Sequence, residues 1–445
     1  MVIFSFNEAS SRTNKAKKNI YISGLFKIGD TLIYLLLVPL TLGYLNAYEY
    51  GIWLTLNSIL GWINSFDIGL GNGLRNKLAE ALAKDEKILA RQYVSTAFFM
   101  LISILIVIIV FGLIIAQVIN WEKLLNITTP VLHLDEIIVL SYIFFCINFV
   151  LKFVGNVYQA LQIPSAMYII NFAGHLLSLL IIYALTLTTE GNLLFVALVY
   201  SATPPFIYAI CYPITFKKMF KFLDPSLLYF DKGCIKELFN LSILFFIMQL
   251  SGLFLYSLSN LIISNMFGPA EVTPFNIAQR YFGIIPMISN IVLAPIWSAT
   301  TDAYIKNDMK WIKKAHAMMV RYLLLSFVSL GVMVVLSPIV YLLWIGNKVE
   351  IPFIISILSA LYNFIFLWSL SYSYLLNGMG KLKIQMMTTI VFSLCFYPLS
   401  RFLGELYLIP GIIIAMCIAI VTGAILNTIQ VNKIIRGTAS GIWLR

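Results

Sequence analysis

Five ionisable residues stand where the surrounding sequence is oily. Lys27 and Asp30 lie in the apolar run 20–45, Asp67 near the end of 50–70, Lys152 within 137–159 and Arg280 within 275–299. An ionised side chain in hydrocarbon costs at least roughly 2.5–3.5 kcal/mol on insertion scales, so such residues point to a pathway, a partner or a substrate. Lys and Arg hold phosphate oxygens, Arg through a two-pronged fork. Fixed positive charge at two depths suits an anionic headgroup passing between leaflets. Asp30, one helical turn from Lys27, can take up a proton when the lysine is engaged elsewhere. Structural roles stand beside these: Lys27 and Lys152 can snorkel to the interface, Lys27 and Asp30 can form an ion pair, and Asp67 can cap a helix end.

The setting of these charges is a membrane. Apolar residues make up 60% of the 445, and charged residues 11%, against about 25% in an average soluble chain. The mean hydropathy is +0.92. Twelve apolar runs are long enough to cross a bilayer at about 20 residues each, the eleventh (384–399) being the shortest. The polar, basic first nineteen residues precede a run too long for a removed signal, and lacking its cleavage site, so this run is expected to be the first span. Lys and Arg total 30 against 19 Asp and Glu. With the N-terminus inside, twenty-four of the thirty basic residues fall in cytoplasmic segments and three outside, which fixes the orientation and places both termini in the cytoplasm. The basic excess is thus mostly a topology signal, and nucleic acid is not an expected partner. Cys146, Cys211, Cys234, Cys395 and Cys417 are scattered, and His133, His175 and His316 show no ligand spacing. No metal or cofactor is expected.

The chain also repeats. Glu49 and Glu271 precede spans two and eight, 222 positions apart, and the cytoplasmic stretches beginning at Glu80 and Asp302 match at the same offset. One inserted residue then aligns Lys87 and Arg91 with Lys310 and Lys314. The expected fold is an all-α polytopic membrane protein with about twelve transmembrane helices in two six-helix repeats, a transporter architecture with substrate handled where the halves meet. Expected boundaries are an N-terminal bundle at 1–216, a basic cytoplasmic linker at 217–236, a C-terminal bundle at 237–431 and a tail at 432–445. Gly69-Leu70-Gly71-Asn72-Gly73 lacks the strand–turn–helix setting of a phosphate loop and is expected to terminate a helix. Pro286 and Pro295 are expected to bend span eight beside Arg280.

The stretch Glu49-Tyr50-Gly51-Ile52-Trp53, followed by Ile63-Asn64-Ser65-Phe66-Asp67-Ile68-Gly69-Leu70-Gly71-Asn72-Gly73-Leu74-Arg75-Asn76, resembles bacterial O-antigen flippases. These form part of the polysaccharide-transport branch of the multidrug/oligosaccharidyl-lipid/polysaccharide exporter (MOP) superfamily. The resemblance implies a V-shaped pair of six-helix bundles around a central cavity. It implies a non-enzymatic flippase in the bacterial inner membrane that carries an undecaprenyl-pyrophosphate-linked oligosaccharide to the periplasmic leaflet, with membrane lipids, a polysaccharide polymerase and a chain-length regulator as partners. In that frame Arg280, Lys27 and Lys152 are expected to bind substrate, and Asp30 and Asp67 to serve ion coupling. A multidrug/cation antiporter of the same superfamily would share the fold but would be expected to carry an acidic excess in its cavity. A membrane polysaccharide polymerase would be expected to carry a sizeable outer loop with catalytic groups, and the longest outer loop here is about seventeen residues.

Overall fold

The computed structural model describes residues 6–67, 70–161, 163–240 and 258–444. Among these the chain is helical throughout, with no strand. Eight helical segments are long and apolar enough to cross a membrane. One of them, Lys383–Arg436, is two spans joined at Leu408, whose backbone (φ 57°, ψ −141°) leaves the helix. Much of the seventh expected span lies outside the described residues; its end forms the helix Leu258–Phe267. Large apolar side chains lie open along the spanning helices: Val107 is 67% exposed, Phe111 64%, Val335 73% and Leu343 82%. Only a hydrocarbon solvent makes such surfaces stable, and the protein is a multi-pass membrane protein.

The helices run α1 (Phe6–Tyr44), α2 (Ala47–Leu60), α3 (Leu70–Ala83), α4 (Lys87–Val118), α5 (Trp121–Leu125), α6 (Leu134–Leu151), α7 (Phe153–Ala160), α8 (Pro164–Thr188), α9 (Leu193–Pro213) and α10 (Lys232–Asn240). They continue with α11 (Leu258–Phe267), then α12 (Val272–Phe282), α13 (Ile284–Ile305), α14 (Met309–Ile345), α15 (Phe353–Met379) and α16 (Lys383–Arg436). The described part of the polar N-terminal stretch is helical from Phe6 on and leads without a break into the first span, Ile22–Tyr44. The eleventh span runs on past its expected end to the break at Leu408, and Arg401 within it donates to Asn265 Oδ1 at 3.2 Å. The chain packs as two units. Met1–Asn46, Leu60–Asn120 and Thr129–Phe246 form the first, and Ala47–Ile59, Trp121–Thr128 and Ile247–Arg445 the second.

The repeat is written in the backbone. Helices α2 and α12 end at Leu60 and Phe282, α3 and α13 end at Ala83 and Ile305, and α4 and α14 begin at Lys87 and Met309, each pair 222 residues apart. The turns between them are the same turn. Asp85 (φ 58°) and Asn307 (φ 56°) take the left-handed conformation that short polar side chains tolerate best after glycine. Around them Asp85 N donates to Leu82 O and Asn307 N to Tyr304 O, while Glu86 N donates to Ala81 O and Asp308 N to Ala303 O. These bonds satisfy the carbonyls that a helix end leaves open. No insertion is needed: Lys87 corresponds to Met309 and Arg91 to Lys313, a correction to the alignment with Lys310 and Lys314.

Span eight does break beside Arg280, at Gly283 between α12 and α13. Pro286 has no N–H for the Phe282 carbonyl, and its ring crowds that oxygen. The glycine-rich stretch does not terminate a helix. From Leu70 on it forms the first turn of α3, where Gly71 leaves room for the Asn156 amide: a Cβ would lie 2.5 Å from its Nδ2. In α3 the side chains of Leu74, Leu78 and Ala81 are buried in the core of the first unit.

The stretch from Lys217 to Lys236 carries structure of its own and packs on α3 and α4. Arg91 Nε donates to Asp224 O at 3.0 Å, and its guanidinium lies 4.1 Å over the Tyr229 ring. Asp231 N donates to Thr96 Oγ1. Glu237, on α10, accepts from Tyr93 Oη at 2.6 Å and pairs with Lys77 Nζ at 3.1 Å. In the second unit, α2 lies tight against the start of α12: a Cβ on Gly51 would overlap the Pro269 carbonyl, and Thr273 Oγ1 donates to Ala47 O at 2.7 Å.

Two outcomes follow from these contacts. Gly51→Ala is expected to cost about 1–3 kcal/mol, as overpacking does, and to lower the melting midpoint of the detergent-solubilised protein; an unchanged midpoint would show that α2 and α12 have room to part. The Tyr93 hydroxyl, and then Lys77, hold the Glu237 carboxyl below its ordinary value of 4.5. A depressed carboxyl stabilises the docked segment above the unfolded value and loses that contribution as pH falls through the folded one. The protection of Lys232–Asn240 against hydrogen exchange, taken relative to the intrinsic rate at each pH, should therefore fall as the sample is taken below about pH 4.5, and this fall should vanish in Glu237→Gln.

Candidate functional site

In the first unit α1 and α8 pack along their length, sealed by Ile33, Leu37, Ile182 and Val199. Phe26 and Phe172 meet edge to face with ring centroids 5.2 Å apart. Gly29 admits this approach, as a Cβ there would lie 2.9 Å from the Phe172 ring. Between these apolar contacts sits Asp30, 8% exposed. One carboxylate oxygen lies 3.7 Å from Lys27 Nζ, and the other lies 2.5 Å from His175 Nδ1. Lys27 and His175 keep about a third of their side-chain surface open, at 35% and 33%. A buried carboxylate with the Lys27 ammonium near one oxygen and a hydrogen-bonding imidazole on the other has partners on both, and in hydrocarbon this makes it tolerable.

His175 is the residue that the sequence reading left out. It lies inside span five, but a histidine among apolar residues was weighed there only for metal spacing. The signal that would have found it is the helical register. Asn171, His175 and Ser178 rise along one face of α8 at intervals of four and three. Each meets a polar partner: Tyr208 donates to Asn171 Oδ1 at 3.1 Å, Asp30 faces His175, and Ser178 bonds Thr203 at 2.5 Å.

Lys152 occupies a break. It is the one residue between α6 and α7, with φ −62° and ψ −11°, and its ammonium donates to the Asn64 carbonyl at 3.1 Å. Asn64 belongs to the tight 3₁₀ segment Gly61–Ser65 that follows α2. The Asp67 carboxylate, just beyond that segment, lies near enough for its charge to act on the Lys152 ammonium. Four of the five expected groups thus lie near one another in pairs within the first unit, Lys27 with Asp30 and Lys152 with Asp67.

Arg280 belongs to the second unit. It is half-buried in the last turn of α12, beside a network of uncharged groups. Asn363 Nδ2 donates to Gln279 Oε1 at 3.0 Å, and Gln279 Nε2 to Ser359 Oγ at 3.3 Å. One turn earlier, Asn276 Nδ2 donates to Asn260 Oδ1 at 2.8 Å, and Asn260 Nδ2 to Ser58 Oγ at 2.6 Å. Among the described residues no group of His, Cys, Asp and Glu has a metal-binding arrangement.

The pairing of Asp30 with His175 has a measurable consequence. Asp30→Ala and His175→Ala should each lower the melting midpoint, and the double variant should fall short of their sum, by a coupling of about 0.5–3 kcal/mol. Strictly additive losses would show that the two side chains act independently.

No protein-family model matches the chain. It is 24% identical over 373 residues to a protein of Salmonella typhi named as an O-antigen transporter, covering 81% of this chain and 83% of that one. It is 24% identical over 428 residues to another so named from Salmonella typhimurium, covering 92% of this chain and 96% of its relative. An O-antigen export protein of Yersinia pseudotuberculosis is 22% identical over 369 residues, 78% of this chain and 79% of that one. Among solved structures, a multidrug resistance MATE family transporter of the MOP superfamily in its inward-facing conformation superimposes with a TM-score of 0.71 at 14% identity, covering 95% of this chain and all of that one. The outward-facing conformation gives 0.65, covering 95% and 96%. The chain therefore has the fold of the MATE transporters of the MOP superfamily, and along most of its length its sequence is similar to that of proteins named for O-antigen transport.

Proposed function

We propose that this protein is a flippase that moves an oligosaccharide repeat unit, linked through pyrophosphate to undecaprenol, from the cytoplasmic to the periplasmic leaflet of a bacterial inner membrane. It has both termini in the cytoplasm, an N-terminal bundle over 1–216 and a C-terminal bundle over 237–431. The observation that carries this reading is the similarity to proteins named for O-antigen transport over as much as 92% of the chain. The intramembrane chemistry agrees with it. Lys27, Lys152 and Arg280 are the cations that a pyrophosphate needs, and Arg280 offers the fork that grips phosphate oxygens on two sides. Asp30 and Asp67 are the acidic members of the pairs. When a headgroup draws Lys27 away, Asp30 is left with His175, and a proton taken up by that pair restores neutrality, which couples the cycle to an ion. The repeat unit then passes to a polymerase and chain-length regulator on the outer face.

The likeness to multidrug transporters favours a second reading, export of organic cations. Its requirement is a carboxylate free to meet the cation, and Asp30 is already held between Lys27 and His175.

Deleting the gene should trap lipid-linked repeat units in the cytoplasmic leaflet and abolish the surface polysaccharide, and the native gene should restore it. Arg280→Ala, expressed at the native level, should fail to restore it, and Arg280→Lys should restore part. Repeat units that reach the periplasmic leaflet at an unchanged rate without the gene would end the flippase reading.

A further inference from the structure

Inside the second unit, α13, α15 and α16 enclose a cavity of about 400 Å³. This is at the lower end of pockets that hold small molecules, roughly 300–1,000 Å³. Its walls include Trp297, Ser373, Tyr374, Asn377, Gln385 and Thr388, and none of its lining residues is charged. That composition excludes most occupants. A hydrocarbon tail would bury the amides and hydroxyls against nothing. A phosphate would find no cation, and an organic cation no carboxylate. A neutral polyhydroxyl ring satisfies both kinds of wall, because its C–H face lies on an aromatic ring while its hydroxyls donate and accept.

The aromatic wall is built in place. Trp297 and Tyr374 meet edge to face, with centroids 5.8 Å apart and planes at 62°. The Tyr374 hydroxyl is anchored outside this pair by donating to Asn290 Oδ1 at 2.8 Å. Gly378 brings α15 against α13, since a Cβ there would lie 2.8 Å from the Trp297 carbonyl oxygen. The polar wall has capacity to spare. Asn377 Oδ1 and Gln385 Oε1 have no hydrogen-bond partner. The last torsion of an amide side chain is broad and nearly two-fold, so each can turn its oxygen or its NH₂ toward a ligand. A sugar hydroxyl makes use of both.

We propose that this cavity is a subsite for one neutral, hexose-sized ring of the oligosaccharide cargo, engaged while its charged headgroup is held elsewhere. This rests on the flippase reading and names the part of the substrate that this unit recognises. Trp297, Asn377 and Gln385 lie at the ends of their spans nearest the α15–α16 turn at Gly380. In the proposed orientation that end faces the cytoplasm, where the repeat unit is loaded.

The test uses the full chain in lipid nanodiscs, titrated with glucose, galactose and N-acetylglucosamine while tryptophan fluorescence is read. Gly423 lines the cavity, and a Cβ there lies in ordinary contact, 3.7 Å from Thr388 Oγ1. Gly423→Leu therefore fills the space without backbone strain. The expected result is a saturable response to at least one sugar, absent in Trp297→Phe and at least ten-fold weaker in both Gly423→Leu and Gln385→Leu. No saturable response to any of the three sugars, or one that persists unchanged in Gly423→Leu, would overturn the subsite. The same preparation is assayed in vesicles for movement of lipid-linked repeat units. Movement without a sugar response removes the subsite and leaves the flippase; sugar binding lost on filling the cavity, in a protein that moves no repeat units, keeps the subsite and removes the flippase.

Discussion

Hydrocarbon offers no hydrogen bonds, and the interior of this protein is organised around that lack. Backbone groups are satisfied by helix, and polar side chains must find partners within the protein. Buried serines and threonines return to the carbonyl one turn back, as Thr55 does to Gly51 and Ser371 to Leu367. Amides pair with amides across helices, as in Asn260 with Asn276 and Gln279 with Asn363. The carboxylate of Asp30 is divided between two bases. Against this background the unpartnered amide oxygens stand out: those of Asn64 and Asn148 in the first unit, and those of Asn377, Gln385, Asn427 and Gln430 on α15 and α16.

Three of the five intramembrane charges lie where a helix is interrupted. Lys152 is the residue between α6 and α7, Asp67 follows the 3₁₀ segment after α2, and Arg280 is three residues before the break at Gly283. An interrupted helix frees backbone groups and allows a side chain to leave its regular register, which is how spanning helices are adapted to polar cargo. The breaks after α2 and α12 also obey the 222-residue offset, so both repeats carry an interruption at the same point, although only the second has a proline to cause it.

The membrane class, the spans and the doubling were legible in the sequence because they depend on composition and on spacing along one chain. The charged residues were legible for the same reason, since an ion in an apolar run is conspicuous. Their partners were not. Asp30 meets His175 across 145 residues and Lys152 meets Asn64 across 88, and helix packing alone decides such meetings. The basic stretch 217–236 read as a linker because charge and turn residues look the same whether solvated or docked. It is held by Arg91, Ser95 and Thr96 of α4 and, just beyond it, by Tyr93 and Lys77 on Glu237. The glycine run was misread because Gly71 serves a neighbouring side chain, Asn156, rather than a turn.

The placement of α2 bears on how the protein is made. Ser58 and Asn260 are separated by 202 residues, and Gly51 is shaped to fit a carbonyl at Pro269. At about 5–20 residues per second, the ribosome delivers the second partner roughly 10–40 s after the first. During that interval the face of α2 that carries Gly51 and Ser58 has neither Pro269 nor Asn260 to meet. The packing of α2 is therefore completed only after the start of the second repeat has been made.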